Sequence, residues 1–181
     1  MLFRSREDYC QAVEHSIEFQ VVFLQHLLGP SVRILPVLCG PFDFGMHGAR
    51  LPEHHDRVKR ALGALGEIAA REGDRLAWVL GVDMAHMGRR YGDTFEARAG
   101  ENEMARVSER DLDRIQAVES GDAAAFWERI RENYDDLKWC GSAPIYTFLR
   151  AVPEARGTLL HYQQWNIDEE SVVSFAGLRF Q

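Results

Sequence analysis

The 181-residue chain has few cysteines, few prolines and no long hydrophobic run. Its three cysteines are an odd number without paired spacing, which argues against a disulfide framework and indicates a reduced compartment. The apolar runs are far too short to span a bilayer, and the opening residues MLFRSREDY contain no apolar signal-peptide core. We therefore expect a cytoplasmic protein without a membrane partner.

Positive charge is also scarce, with 21 Lys and Arg residues against 28 Asp and Glu residues and a formal net charge of −7. The basic residues are scattered among acidic ones, so a nucleic-acid partner is not expected. What the chain does have is an ordinary globular composition, 46% hydrophobic and 27% charged, which excludes disordered and fibrous classes. No internal repeat is present, and the length predicts a single domain over residues 1–181.

Hydrophobic spacing predicts several helices, of which the first is expected to be buried toward its end. Turn and cap signals set the limits of the others: Gly73 ends the second, Ser120 the third, and Asp122 and Ser142 are N-cap candidates for the last two. The predicted helices cover residues 9–28, 55–73 and 102–120, a stretch after Asp122, and a short stretch from Ser142 that ends before Pro153. Residues 39–52, rich in glycine, are expected to form a loop.

Four apolar or β-branched segments predict strands. Residues 32–38 contain Pro36, which favours an edge or distorted strand, and the continuous apolar run at residues 76–82 indicates a central strand covered on both faces. Residues 158–165 and 171–180, separated by a polar turn, predict a closing antiparallel pair. Together the elements predict an α/β sheet domain with antiparallel parts.

The first candidate site consists of Asp83 and His86, where the apolar segment ends. Ligands of open α/β sheets bind beyond the carboxyl ends of strands, so these side chains are well placed for proton transfer or ligation. The structural alternative is that Asp83 caps the turn and His86 forms only local hydrogen bonds.

Cys140 is the second candidate because it immediately precedes a predicted helix start. The unpaired N–H groups and partial positive charge of a helix N-terminus favour the thiolate, which is both a nucleophile and a metal ligand. The alternative is a small buried hydrophobic residue at the entry of a helix.

Further candidates lie in the segment Glu14 to Glu18, where two carboxylates one helical turn apart flank His15. Glu14 and His15 could border a site, although a solvated helix entry explains the same spacing. His54 and His55 match no zinc-ligand spacing, and we interpret them as a polar helix start.

Several of these segments occur in the same order as in Memo-like proteins. They are the EHSIE sequence at residues 14–18 followed by its apolar helix, Asp83 and His86, Cys140-Gly141 with Pro144-Ile145, and SVVSFAG at residues 171–177. The chain thus resembles the Memo-like family, also called AmmeMemoRadiSam system protein B, over nearly its whole length. That family is similar in fold to the class III, non-haem iron extradiol dioxygenases.

The resemblance implies an α/β fold of the extradiol dioxygenase (LigB-like) type, with a mixed central sheet flanked by helices. It also implies a pocket at the strand ends that holds iron (Fe²⁺) or copper through two histidines and a cysteine. Cys140 matches the family's cysteine, and Asp83 and His86 match its neighbouring Asp and His. Glu14 and His15 match a segment that borders the pocket.

The segment that supplies the two histidine ligands in the family has no counterpart here, so we expect the fold to lack its first strands. Cys140 alone cannot hold a metal, and His86 with Asp83 or His15 would have to complete the ligand set. An exposed sheet edge would need covering, by a second copy of the chain or by an upstream polypeptide. The resemblance leaves turnover open, and the alternative is a non-catalytic scaffold that recognises a peptide or a small anionic ligand, with Arg89 and Arg90 pairing with its charge.

Overall fold

The computed structural model describes residues 15–42 and 51–181. Five α-helices lie in these residues, joined by short 3₁₀ turns and irregular segments. They are α1 (His15–Leu28), α2 (Asp56–Glu72), α3 (Glu103–Glu119), α4 (Ala123–Arg131) and α5 (Ser142–Ala151). No helix in the described ranges is both long and apolar enough to cross a membrane.

A three-stranded sheet packs beside the helices. Its strands are β1 (His86–Gly88), β2 (Gly157–Asn166) and β3 (Ser171–Phe180), in the order β1-β3-β2 with both pairs antiparallel. The closing hairpin predicted from the sequence is confirmed, with Tyr162 opposite Ala176, and β1 pairs His86 with Val173. The α/β fold expected from the sequence is therefore present, and the hydrogen-bonded ladder in the described residues is wholly antiparallel.

Large aromatic side chains fill the core between α4, α5 and the segment that joins them. Phe126, Trp127, Trp139 and Tyr146 are at most 2% exposed. The rings of Trp127 and Tyr146 lie 5.4 Å apart in a tilted arrangement, and those of Phe126 and Trp139 lie 5.9 Å apart. Such contacts add about 0.5–1.5 kcal/mol per pair to the burial of apolar area. The core thus holds the loop at residue 139 firmly in place.

Cap chemistry explains two of the helix starts. The Asp122 carboxylate accepts the Ala125 N–H at 2.9 Å, which confirms it as an N-cap, and His55 Nδ1 accepts the Arg57 N–H at 3.3 Å at the start of α2. The expectation that Ser142 caps α5 is wrong, because Gly141 occupies the N-cap position and no side chain caps this helix. The buried Ser142 is the first residue of α5.

Residues 32–38 and 76–82 do not form the predicted strands. Neither segment joins a ladder within the described residues, and a strand requires a hydrogen-bonded neighbour. Residues 76–82 are also not covered on both faces: Trp78 and Leu80 pack on the core, whereas Val79 is 49% exposed.

The expected burial at the end of α1 is wrong as well, with Leu27 at 76% exposed. Residues 9–14 of the helix predicted there lie outside the described residues.

Candidate metal centre

Asp83, His86 and Cys140 come together at one end of the sheet. One potential ligand atom from each residue lies within 4.8 Å of the others. Among the described residues, these three side chains form the group that could hold a metal ion. Asp83 directly follows the apolar residues 76–82, His86 begins β1, and Cys140 lies two residues before α5. Asp83 and His86, three residues apart, therefore meet a cysteine from a distant segment, at a strand start and a helix entry.

Gly141 lets the two backbone segments of this site approach closely. Its N–H donates to the Asp83 carbonyl at 3.1 Å. A Cβ atom at this position would lie 2.9 Å from both that carbonyl oxygen and Val82 Cγ2, which is closer than real Cβ contacts allow. Only glycine permits this approach, and it brings Cys140 beside Asp83.

The ring of His86 is held in one orientation by two backbone carbonyls. Nδ1 lies 2.9 Å from the Met84 oxygen and 3.0 Å from the Lys138 oxygen. Because carbonyl oxygens only accept hydrogen bonds, Nδ1 carries the proton, and the neutral ring therefore has its lone pair on Nε2. Nε2 lies 3.9 Å from Asp83 Oδ2, so it faces the other candidate ligands.

The backbone geometry that presents the Lys138 carbonyl depends on a second ion pair. Lys138 has a φ of +56°, in the left-handed region that is unfavourable for a residue with a side chain. Its Nζ donates to both carboxylate oxygens of Asp93 at 2.8 and 3.0 Å, and Asp93 also accepts the Gly88 N–H at 2.8 Å. Asp93 thus links the turn at Lys138 to β1. The turn contacts the His86 ring through the Lys138 carbonyl, and β1 contains His86.

The thiol of Cys140 is exposed and its Sγ lies 3.4 Å from the Asp83 carbonyl oxygen, to which it donates. This contact uses the S–H proton, so binding of a cation at sulfur requires that proton to leave. Cys140 lies two residues before α5, beside the N-cap Gly141, so it is close to the helix N-terminus that the sequence suggested would favour a thiolate.

The donor set fits a transition-metal ion. It combines an imidazole nitrogen with a free lone pair, a sulfur and a carboxylate oxygen, a mixture that suits Zn²⁺, Fe²⁺ and copper. In a tetrahedral site with a metal–sulfur bond of about 2.3 Å and a metal–nitrogen bond of about 2.0 Å, neighbouring ligand atoms lie about 3.5 Å apart. A contraction of about 1 Å, mostly by the exposed side chains of Asp83 and Cys140, brings the group to that spacing.

A buried carboxylate, Asp111, supports the site and was not among the candidates selected from the sequence. Asp111, on α3, is fully buried and accepts hydrogen bonds from Trp139 Nε1 at 2.6 Å, Tyr162 Oη at 2.8 Å and Ser174 Oγ at 2.6 Å. Burial raises its pKa above the usual value, against the opposing effect of these donors and of Arg114. No local motif marks Asp111, because its partners come from three distant segments.

Ser174 connects Asp111 to residues 84–86, the segment that includes His86. Its Oγ accepts the Ala85 N–H at 2.8 Å, and its backbone exchanges hydrogen bonds with Met84 and Ala85. Asp111 therefore anchors both sides of the candidate centre, residues 84–86 through Ser174 and residues 139–140 through Trp139.

Of the remaining candidates, His15 is not part of this group. Its Nδ1 lies 3.4 Å from Glu18 Oε2 and its ring stacks on Phe19 at 5.7 Å, with both members of the ion pair largely exposed. Glu14 lies outside the described residues. The first turn of α1 does contact the segment that leads to the site, since a side chain at Gly81 would collide with the Ser16 carbonyl.

Comparison with known proteins identifies the family. The model of a family described as Memo-like protein matches residues 2–179. The chain belongs to the Memo-like family. Its membership was predicted from the segments around Glu14, Asp83, Cys140 and Ser171, and it is confirmed.

The Memo-like chain is similar to MEMO1 family proteins of several organisms. MEMO1 family proteins of Thermococcus kodakarensis and Thermococcus onnurineus are 31% and 30% identical to it, and each match covers 97% of the chain and 59% of the relative. A MEMO1 family protein of Methanosarcina barkeri is 26% identical over 91% of the chain and 54% of the relative. The chain therefore spans a little over half the length of these relatives.

Proposed function

We propose that this Memo-like chain forms a metal-binding, dioxygenase-related redox site in which Cys140, His86 and Asp83 hold the ion. The observation that carries the proposal is the convergence of these three ligand atoms within 4.8 Å. Iron or copper in this position would supply redox and Lewis-acid chemistry at a position open to substrate.

The chain's own residues have separate roles in this site. Hydrogen bonds from Nδ1 to the carbonyls of Met84 and Lys138 orient His86 and direct Nε2 toward the ion. Cys140 supplies the soft ligand, and its S–H proton passes to solvent on binding. Asp83, whose side chain is 55% exposed, supplies a carboxylate oxygen and a negative charge to the ion.

A reduced thiol is a condition of this proposal. Of the two cysteines in the described residues, Cys39 and Cys140, it is Cys140 that is exposed. The proposal therefore includes the cytoplasmic location that the cysteine usage led us to expect.

The test is binding of Co²⁺ to the purified 181-residue chain under reducing, anaerobic conditions, followed by near-ultraviolet absorption. A cysteine ligand produces a thiolate-to-cobalt charge-transfer band, and an oxygen-only site does not. We expect this band in the native chain and its loss in Cys140→Ala. The matched control is Cys39→Ala, since Cys39 Sγ contacts Thr147 Oγ1 at 3.8 Å and is not in the ligand group.

Retention of the full band in Cys140→Ala would refute the assignment of Cys140 as ligand. The variant His86→Ala distinguishes a three-ligand site from a lone thiolate, because it should weaken cobalt binding at least about tenfold. Equal affinity in His86→Ala and the native chain would exclude His86 from the ligand set.

The second candidate function is a non-catalytic scaffold that recognises a peptide or a small anionic ligand. Arg89 and Arg90 favour it, because they are exposed in the turn that directly follows β1 and His86. The Arg90 guanidinium is two-thirds exposed and forms a long ion pair with Asp168, 3.9 Å apart. Saturable binding of a phosphorylated peptide that is lost in a double Arg89→Ala, Arg90→Ala variant, with no metal bound, would support this function instead.

A further inference from the structure

A buried ion pair lies behind the turn that leads to Cys140. Arg114, on α3, donates from Nη1 to Asp135 Oδ1 at 2.8 Å. The Arg114 side chain is 2% exposed and the Asp135 side chain 11%, which makes this the most deeply buried ion pair within the described ranges. The pair is not among the candidate ligands, so its role has to be sought in what it contacts.

The turn itself has an unfavourable backbone conformation. We call residues 133–138 the left-handed turn, because four of its residues have φ between +52° and +56°: Asn133, Tyr134, Asp135 and Lys138. Side chains disfavour this region, and a run of such residues persists only where surrounding contacts hold it. The left-handed turn therefore depends on contacts with the rest of the protein.

Asp135 connects the left-handed turn to α3 and to Trp139. Its Oδ1 accepts from Arg114, and its Oδ2 accepts the Trp139 N–H at 3.0 Å. Its backbone carbonyl also accepts the Lys138 N–H at 2.8 Å. The Arg114 guanidinium lies 5.3 Å from the centre of the Trp139 ring, where the ring attracts a cation. One guanidinium thus holds the turn at Asp135 and at Trp139, the residue directly before Cys140.

Stability alone does not explain an ion pair buried so deeply. Removing two charges from water costs free energy that their attraction need not recover, and apolar side chains often replace such pairs without loss of stability. The cost shows in both partners, since burial lowers the pKa of Arg114 and raises that of Asp135. What the pair supplies is a fixed location for the carboxylate that closes the turn.

We propose that Arg114 and Asp135 are positioning residues for the metal centre, because their ion pair fixes the left-handed turn. The turn presents the Lys138 carbonyl that orients His86, and Cys140 lies two residues beyond it. The pair therefore sets the places of two of the three ligands without contacting the ion. This inference rests on the proposed function, in which Cys140 and His86 bind the ion.

The test replaces both partners together, as Arg114→Met with Asp135→Asn, so that no unpaired charge is left buried. The Asn amide oxygen can still accept the Trp139 N–H. We expect Co²⁺ affinity to fall at least about tenfold and the thiolate-to-cobalt band to weaken, while the melting temperature changes little. In the metal-free protein, amide hydrogen exchange of residues 133–140 should become at least about tenfold faster.

The matched control is Arg129→Met with Asp113→Asn. It removes an ion pair of 2.7 Å between α4 and α3 that does not involve the left-handed turn. Cobalt affinity, the band and the exchange of residues 133–140 should all stay at their native values. A second variant, Arg114→Lys, keeps a positive charge and a donor for Asp135, and it should retain most of the affinity.

The outcomes separate this inference from the proposed function. A band in the native chain that is equally strong, with equal affinity, in the Arg114 and Asp135 double variant would overturn the inference alone. Equal losses in both double variants, or a loss of cooperative melting in the Arg114 and Asp135 variant, would overturn it in favour of a purely structural role. A native chain without the band would refute the proposed function and overturn this inference with it.

Discussion

Replacing Asp111 tests whether one buried carboxylate holds both sides of the candidate centre. In Asp111→Leu the donors of Trp139, Tyr162 and Ser174 all lose their acceptor. At about 1–3 kcal/mol for each unsatisfied buried donor, the gross loss is about 3–9 kcal/mol, partly offset because no charge is buried any longer. We expect a net loss of about 3–5 kcal/mol in the free energy of unfolding.

Asp111→Asn separates hydrogen bonding from shape. The amide oxygen still accepts from Trp139, and the hydroxyls of Tyr162 and Ser174 can rotate to accept from the new NH₂ group. The expected loss is only about 1–2 kcal/mol, the difference between charged and neutral hydrogen bonds. The assay is urea denaturation followed by tryptophan fluorescence. Equal stability of the Leu variant and the native chain would refute this account of the network.

The free energies of unfolding of the native chain and of Asp111→Asn should also differ in their dependence on pH. Burial raises the pKa of Asp111 above its ordinary value of 3.8. The hydrogen bond from the Tyr162 hydroxyl and the positive charge of Arg114 act in the opposite direction. The folded state therefore holds this proton to higher pH than the unfolded state does. Stability conferred by the protonated group is fully present below about pH 4 and is lost as pH rises through the folded-state pKa. The native chain should lose stability relative to Asp111→Asn over that interval.

Two further substitutions test local contacts. Gly141→Ala places a Cβ 2.9 Å from the Asp83 carbonyl oxygen, so it should move Cys140 away from Asp83. We expect Co²⁺ affinity, measured by titration, to fall at least about tenfold. Unchanged affinity would contradict the role of this close approach. Tyr146→Phe removes the hydrogen bond that the Tyr146 hydroxyl donates to the Glu53 carboxylate, which leaves Glu53 paired with Arg150 at 2.9 Å. The expected cost is about 1–2 kcal/mol in thermal or urea unfolding, and a neutral result would show that Arg150 alone satisfies Glu53.

Local signals in the sequence predicted the local structure well. The spacing of Phe126, Trp127 and Ile130 after Asp122 predicted α4 and its cap, and the β-branched residues around the polar turn predicted the hairpin of β2 and β3. The strands predicted at residues 32–38 and 76–82 are not formed in the described part of the chain, because pairing depends on a neighbouring segment as well as on the residues themselves.

In the candidate centre, too, some features were predicted from the sequence and others were not. Asp83, His86 and Cys140 were selected from their positions at predicted element ends, and the structure places them together. The features that orient them were missed: the Lys138 carbonyl, the close approach at Gly141 and the buried Asp111 all depend on contacts between distant segments. Only the three-dimensional fold brings these together.

The most direct test of the central claim is the metal content of the anaerobically purified chain offered Fe²⁺, Cu⁺ and Zn²⁺ in turn, measured by elemental analysis beside Cys140→Ala and Cys39→Ala. A site built from Asp83, His86 and Cys140 predicts close to one ion per chain in the native protein and in Cys39→Ala, and a loss of most of that metal in Cys140→Ala. Equal metal content in all three proteins, or none in any of them, would contradict it.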